Sequence, residues 1–141
     1  MNRIEHFNRC TGLIFGELYR SFPLRADVTS DVLPAEIFDD IDEDDFDGAF
    51  ERLVVFQKTA QWLVQAGYIW AEDVRDSGLH SAVLAPKGLE VLKAVPSSLA
   101  SERSLGEQIQ HVTSKGAYAL LSKSVDAALA AGVRLATTGT I

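Results

Sequence analysis

The chain has 141 residues, 47% of them hydrophobic, and its mean hydropathy is close to zero. That is enough apolar material for the core of one ordinary domain, and it excludes a wholly disordered chain. The formal charge is −7, and one segment accounts for all of it. Asp39, Asp40, Asp42, Glu43, Asp44, Asp45 and Asp47 lie within nine positions, and the remaining acids equal the Lys and Arg residues in number.

Cys10 is the single cysteine, which rules out an internal disulfide and suits a reducing compartment. The first residues, Met1 to Arg9, mix both charge signs without an apolar run, so no secretory signal is expected. The weakly polar stretch from Ala117 to Ala136 carries Lys123, Asp126 and Arg134, each costly at a bilayer centre. A cytoplasmic protein with no membrane contact is expected.

Ile4, Phe7, Cys10, Ile14, Leu18 and Phe22 recur at steps of three and four, which predicts a helix over 3–22 with one apolar stripe, stopped by Pro23. Thr29, Ser30 or Asp31 can cap a second helix to about Phe38, with Leu33 and Ile37 inward. After the acidic segment, Asp45 or Asp47 suits the N-terminus of a third helix. Phe50, Leu53, Val54, Ala60, Leu63 and Val64 mark its inner face, and Gly67 its end.

At Tyr68 the period changes. Tyr68 to Ala71 and His80 to Ala85 are rich in aromatic and β-branched residues, and Asp76-Ser77-Gly78 between them is good turn chemistry, so a two-stranded hairpin is expected. Pro86 fits the first turn of a fourth helix with Leu89, Leu92 and Val95 buried. The serine-rich stretch from Pro96 to Ser104 reads as a hinge. Leu105, Ile109 and Val112 predict a fifth helix, and Leu121, Val125, Ala128, Leu129 and Gly132 a sixth rich in small residues. Residues 137 to 141 are expected to fray.

The run Trp62-Leu63-Val64-Gln65-Ala66-Gly67-Tyr68-Ile69, the turn at Asp76 to Gly78, and Val83-Leu84-Ala85-Pro86-Lys87-Gly88-Leu89 resemble one segment of MarR- and PadR-like winged-helix regulators. In those proteins the third helix ends at glycine, a wing follows, and a Leu-Thr-x-Lys-Gly run opens the next helix. The resemblance covers about residues 48–95. It implies a mainly α fold with a small two-stranded β-hairpin (α+β), a winged-helix domain over 1–96 and a C-terminal helical extension over 97–141. It also implies a homodimer through the terminal helices, here through Leu121, Val125, Ala128 and Leu129.

Two departures bear on function. Ala85 stands where the family often has a capping threonine. The third helix, whose N-terminal part enters the major groove in helix-turn-helix proteins, begins here among Asp44, Asp45, Asp47 and Glu51. From Asp27 to Glu51 there are eleven acids and no Lys or Arg. Such a surface repels phosphate.

Chemical motifs are sparse. An EF-hand register with Gly48 at the invariant glycine puts Val54 where the closing glutamate belongs, so the acidic loop reads as a solvated helix cap or as a docking surface for a basic partner. His6, His80 and His111 lie on separate elements without metal-site spacing, and no phosphate loop or nucleophile elbow is present. A Ser-His-Asp constellation would have to assemble in space. Arg75 reads as a solvated turn residue, and Trp62 and Trp70 as core residues.

No enzyme, metal or cofactor is expected. The expectation is a winged-helix module acting through protein–protein contacts, with the seven acids of 39–47 as its candidate surface, an unidentified protein partner and a homodimer. The alternative is a transcription regulator binding DNA through Arg3, Arg9, Arg20 and Arg25, in a region of net charge +2.

Overall fold

The computed structural model describes residues 1–42, 44–95 and 103–138. Five α-helices and a three-stranded antiparallel sheet share one core, an α+β arrangement in which the helices dominate.

Helix α1 (Arg3–Ser21) is capped by Asn2, whose side chain accepts from the Glu5 amide at 2.9 Å. It is more deeply enclosed than a single stripe predicts. Cys10, Ile14, Phe15 and Leu18 are fully buried, and so, nearly, are His6, Asn8, Arg9 and Thr11 on its other sides. A helix covered all round needs neighbours on several sides, and α1 packs against the later helices over 46–65, 105–114 and 121–138.

The expected second helix is absent. Strand β1 (Ala26–Thr29) is followed by two single 3-10 turns, Ser30–Val32 and Ala35–Ile37. The reason is Pro34. Proline pushes its predecessor out of the helical region, and Leu33 is extended, at φ −74° and ψ 110°. Ile37, Phe38 and Ile41 still reach the core and pin the segment down.

Helix α2 (Phe46–Gln65) begins at Asp45, whose carboxylate accepts from the Gly48 amide at 3.3 Å, and ends just before Gly67 at φ +87°. Its inner face differs from the expected one. Phe56, Thr59, Ala60 and Leu63 are buried with Arg52, whereas Phe50 and Leu53 point outward.

The hairpin is present as β2 (Ile69–Arg75) and β3 (Gly78–Leu84), turning at Asp76-Ser77. The sheet has a third member, because β1 pairs with the far edge of β3, giving the order β1-β3-β2. Val28 faces Leu79, and Ala71 faces Ala82. A period-2 reading misses β1 because only Val28 of its four residues is buried.

Helix α3 (Pro86–Lys93) has proline in its first turn and no side-chain cap at Ala85. Lys87 donates to the Ala66 carbonyl at 2.8 Å while lying over the Tyr68 ring, which fastens the base of the hairpin. Val91 and Leu92 are buried, and Val95 lies beyond the helix, exposed.

Most of the expected hinge lies outside the described residues. Its last member, Ser104, forms a capping box with Glu107 that starts α4 (Leu105–Ser114). A 3-10 turn at Tyr118–Leu120 leads into α5 (Leu121–Thr138). Leu105, Ile109, Leu121, Val125 and Ala128 join Phe15, Leu63 and Leu92 in one cluster, so residues before 96 and after 102 build a common interior. No described helix is long and apolar enough to cross a membrane.

Candidate protein-docking groove and its acidic approach

Several apolar residues of α2 are left unburied. Phe46, Phe50, Leu53 and Trp62 are exposed, and Ile4 of α1 is 67% exposed. Between α1 and α2 runs a groove of about 740 Å³, walled by Ile4 and Phe7 on one side and by Phe50, Val54, Val55 and Trp62 on the other. Trp62 is not in the core: it is 47% exposed and meets Phe7 edge-on, with ring centres 5.2 Å apart. Trp70, also expected inside, is exposed on β2.

Three polar groups mark the rim. Arg3 donates to Glu51 at 2.8 Å across the groove, and Lys58 reaches only Gln61, with no acidic partner among the described residues. A pocket for a small molecule encloses most of its ligand. This groove is open along its length, and its largest side chain, Trp62, is half in solvent. Its shape suits a macromolecular surface.

The sequence carries only a partial signal for the groove: helix α2 has apolar side chains on two sides, more than one inner stripe can take up.

The acidic segment adjoins the N-terminal end of this groove, and its members do different things. Asp39 pairs with the buried Arg9 guanidinium at 3.3 Å, and the same Arg9 donates to the Ile37 carbonyl at 2.9 Å. Arg3 donates to Nδ1 of His6 at 3.2 Å, leaving Nε2 to donate to Asp40 at 2.8 Å. That hydrogen bond holds the Asp40 carboxyl below its ordinary value. Asp42 accepts from the Asp44 amide at 2.9 Å, and Asp45 caps α2. Asp44 and Asp47 are exposed, with no basic partner among the described residues. Glu43 lies outside the described residues. Asp39 and Asp40 thus tie the segment to α1, and the open negative charge sits at Asp42, Asp44 and Asp47. No three His, Cys, Asp or Glu side chains converge as a metal site would require among the described residues.

The residues expected to form a dimer helix lie elsewhere. Leu121, Val125 and Ala128 are fully buried in the chain's own interior, and Leu129 is half-buried against it. This side of α5 is covered by its own fold, because α1 presents Gly12 and Gly16 to the C-terminal helices and lets them approach closely.

The basic residues of 1–26 do not make a shared surface. Arg9 is 4% exposed, Arg3 pairs with Glu51, Arg20 with Glu17, and Arg25 donates to the Ser81 carbonyl. Arg75 pairs with its neighbour Asp73.

A Ser-His-Asp set does assemble, at the tip of the hairpin. Ser77 Oγ is 3.0 Å from His80 Nε2, and Asp27 Oδ2 lies 4.0 Å from His80 Nδ1. The nitrogen order is that of a hydrolase triad. The 4.0 Å gap leaves the imidazole without the hydrogen bond that orients it, and Ser77 and Asp27 stand in open solvent. The set works as turn hydrogen bonding, with Asp27 accepting from the Ser81 amide at 2.9 Å.

No protein-family model, curated protein or solved structure matches the chain.

Proposed function

We propose that this chain is a non-enzymatic winged-helix module that works through protein–protein contacts. The single observation that carries this reading is the open apolar groove between α1 and α2, beside carboxylates at the start of α2 that have no basic partner among the described residues. Contiguous exposed apolar surface with a polar rim is what a protein interface presents before it is covered. The winged-helix reading is supported by the helix–hairpin–helix sequence from α2 to α3 and by a first strand added to the hairpin in the order β1-β3-β2. It departs from a helix-turn-helix where two 3-10 turns stand in place of the second helix.

The same surface argues against docking DNA through α2. That helix starts among Asp44, Asp45 and Asp47, and phosphate binding needs cations there. A cytoplasmic location fits the single reduced cysteine, buried at Cys10.

Two measurements test the reading. Mixed-sequence duplex DNA at low salt is expected to show no binding. A photo-crosslinking side chain placed at Phe50, which lines the groove and is exposed, in the protein's native cells, is expected to give adducts that protease destroys and nuclease leaves intact. Salt-sensitive DNA binding together with nuclease-sensitive adducts would replace this reading with the regulator.

A further inference from the structure

We infer that the occupant of the α1–α2 groove is a second copy of this chain, docked with the two α2 helices antiparallel about a two-fold axis near Val54. The inference deepens the protein-contact reading and rests on it.

A two-fold interface must be self-complementary, each patch meeting its own reverse, and the exposed side of α2 has that property. Glu51 and Lys58 are seven residues apart, two helical turns, so they share one side of the helix. An antiparallel pair centred between Val54 and Val55 sets Glu51 of each copy beside Lys58 of the other. Lys58, which has no acidic partner in its own chain among the described residues, thereby gains one, and Glu51, which already holds Arg3 of its own chain at 2.8 Å, bridges two cations. The same register sets Phe50, 62% exposed, level with Thr59 of the other copy, about one helical turn short of its Trp62, and does so twice.

Charge selects the antiparallel sense. The open acids lie at the N-terminal end of α2, and a parallel pair would stack them. In the antiparallel pair the two Asp47 residues stand about 22 Å apart along the helix axis, at 1.5 Å per residue. That exceeds two screening lengths at physiological salt, about 8 Å each. The acidic ends then flank the interface and leave its centre apolar.

The test uses the full chain with Trp70→Phe, which leaves Trp62, in the groove, as the only indole. Sedimentation over a wide concentration range is expected to show a monomer–dimer equilibrium. Trp62 emission should shift to the blue and lose access to a soluble quencher as the dimer fills. Val54→Asp faces two carboxylates across the axis and is expected to weaken association by about a hundredfold, with an unchanged circular dichroism spectrum. Lys58→Glu should weaken it by about tenfold, and Glu51→Lys with Lys58→Glu should restore it, which only the antiparallel register allows.

A chain that stays monomeric throughout overturns the inference. So does a dimer in which Trp62 stays open to quencher and Val54→Asp has no effect. Either result leaves the protein-contact reading standing if the Phe50 crosslinks are to another polypeptide, and removes both if they are to nucleic acid.

Discussion

Arg52, on the inner side of α2, donates to the Pro34 carbonyl at 2.9 Å. A second nitrogen reaches the Ala35 carbonyl at 3.3 Å, and the guanidinium lies over the Phe38 ring, 5.5 Å from its centre. One buried cation therefore fixes the segment where a helix was expected. Arg52→Met keeps the bulk but removes both guanidinium bonds, leaving the Pro34 carbonyl with only the Ile37 amide at 3.2 Å, a loss of about 1–3 kcal/mol. Urea unfolding should show it, while Arg20→Met at an exposed site shifts the midpoint little.

Gly48 supports that segment by what it lacks. A Cβ there would sit 2.1 Å from the Asp42 carbonyl oxygen, a backbone atom that cannot swing aside. Gly48→Ala is expected to cost about 1–3 kcal/mol by forcing the loop off the helix. Calcium should not restore the lost stability, because this glycine serves close packing and not an ion loop. Recovery on adding calcium would contradict that.

The His6–Asp40 bond makes one part of the acid response predictable. The Asp40 carboxyl is held below its ordinary value by the His6 hydrogen bond, so its stabilising effect is fully present above the unfolded pKa, about 3.9. The effect is lost as pH falls through the lower folded value. Asp40→Asn should lower stability at pH 7 and leave it nearly unchanged at the acid end. Urea midpoints across pH 7 to 2.5 check the sign, and a larger deficit at low pH would refute it.

Burial pushes the Cys10 thiol up to about 12. At pH 8 a thiol reagent should find it unreactive in the native chain, with a modification rate that follows urea-induced opening. Rapid labelling without denaturant would mean that α1 is loosely held.

A chain cut after residue 98 removes Leu105, Ile109, Leu121, Val125 and Ala128 from the core and uncovers α1. Loss of cooperative unfolding is expected, measured by calorimetry. A folded fragment would show that the first 98 residues form an independent unit.

Much of the helical layout was legible because it rests on local chemistry. Asp45 starts α2 where its side chain accepts from a free amide, and Pro23 and Gly67 stop helices as expected, whereas the caps at Asn2 and Ser104–Glu107 emerge only in the structure. The segment 29–38 is not helical although Thr29, Ser30 and Asp31 are good caps, because Pro34 pushes Leu33 out of the helical region. Strand β1 was missed because its pairing with β3 is non-local.

The groove was hidden for a different reason. Periodicity reports which residues are apolar, and here α2 is apolar on two sides. Only the position of α1 decides which side is covered, and Arg52 and Thr59 take inner places that a hydrophobic stripe would give to Phe50 and Leu53. The C-terminal face at Leu121, Val125 and Ala128 was correctly read as an apolar stripe, but a stripe does not name its partner.

A Cβ on Gly12 would lie 2.7 Å from a methyl of Leu121, so the first helix is shaped to receive the last. These two elements emerge from the ribosome almost the whole chain apart. The flank of α1 around Gly12 therefore stays wet throughout translation until Leu121 has been made. A nascent chain stalled before that point carries an uncovered apolar surface for chaperones to bind, and this fold can close only after synthesis has passed α5.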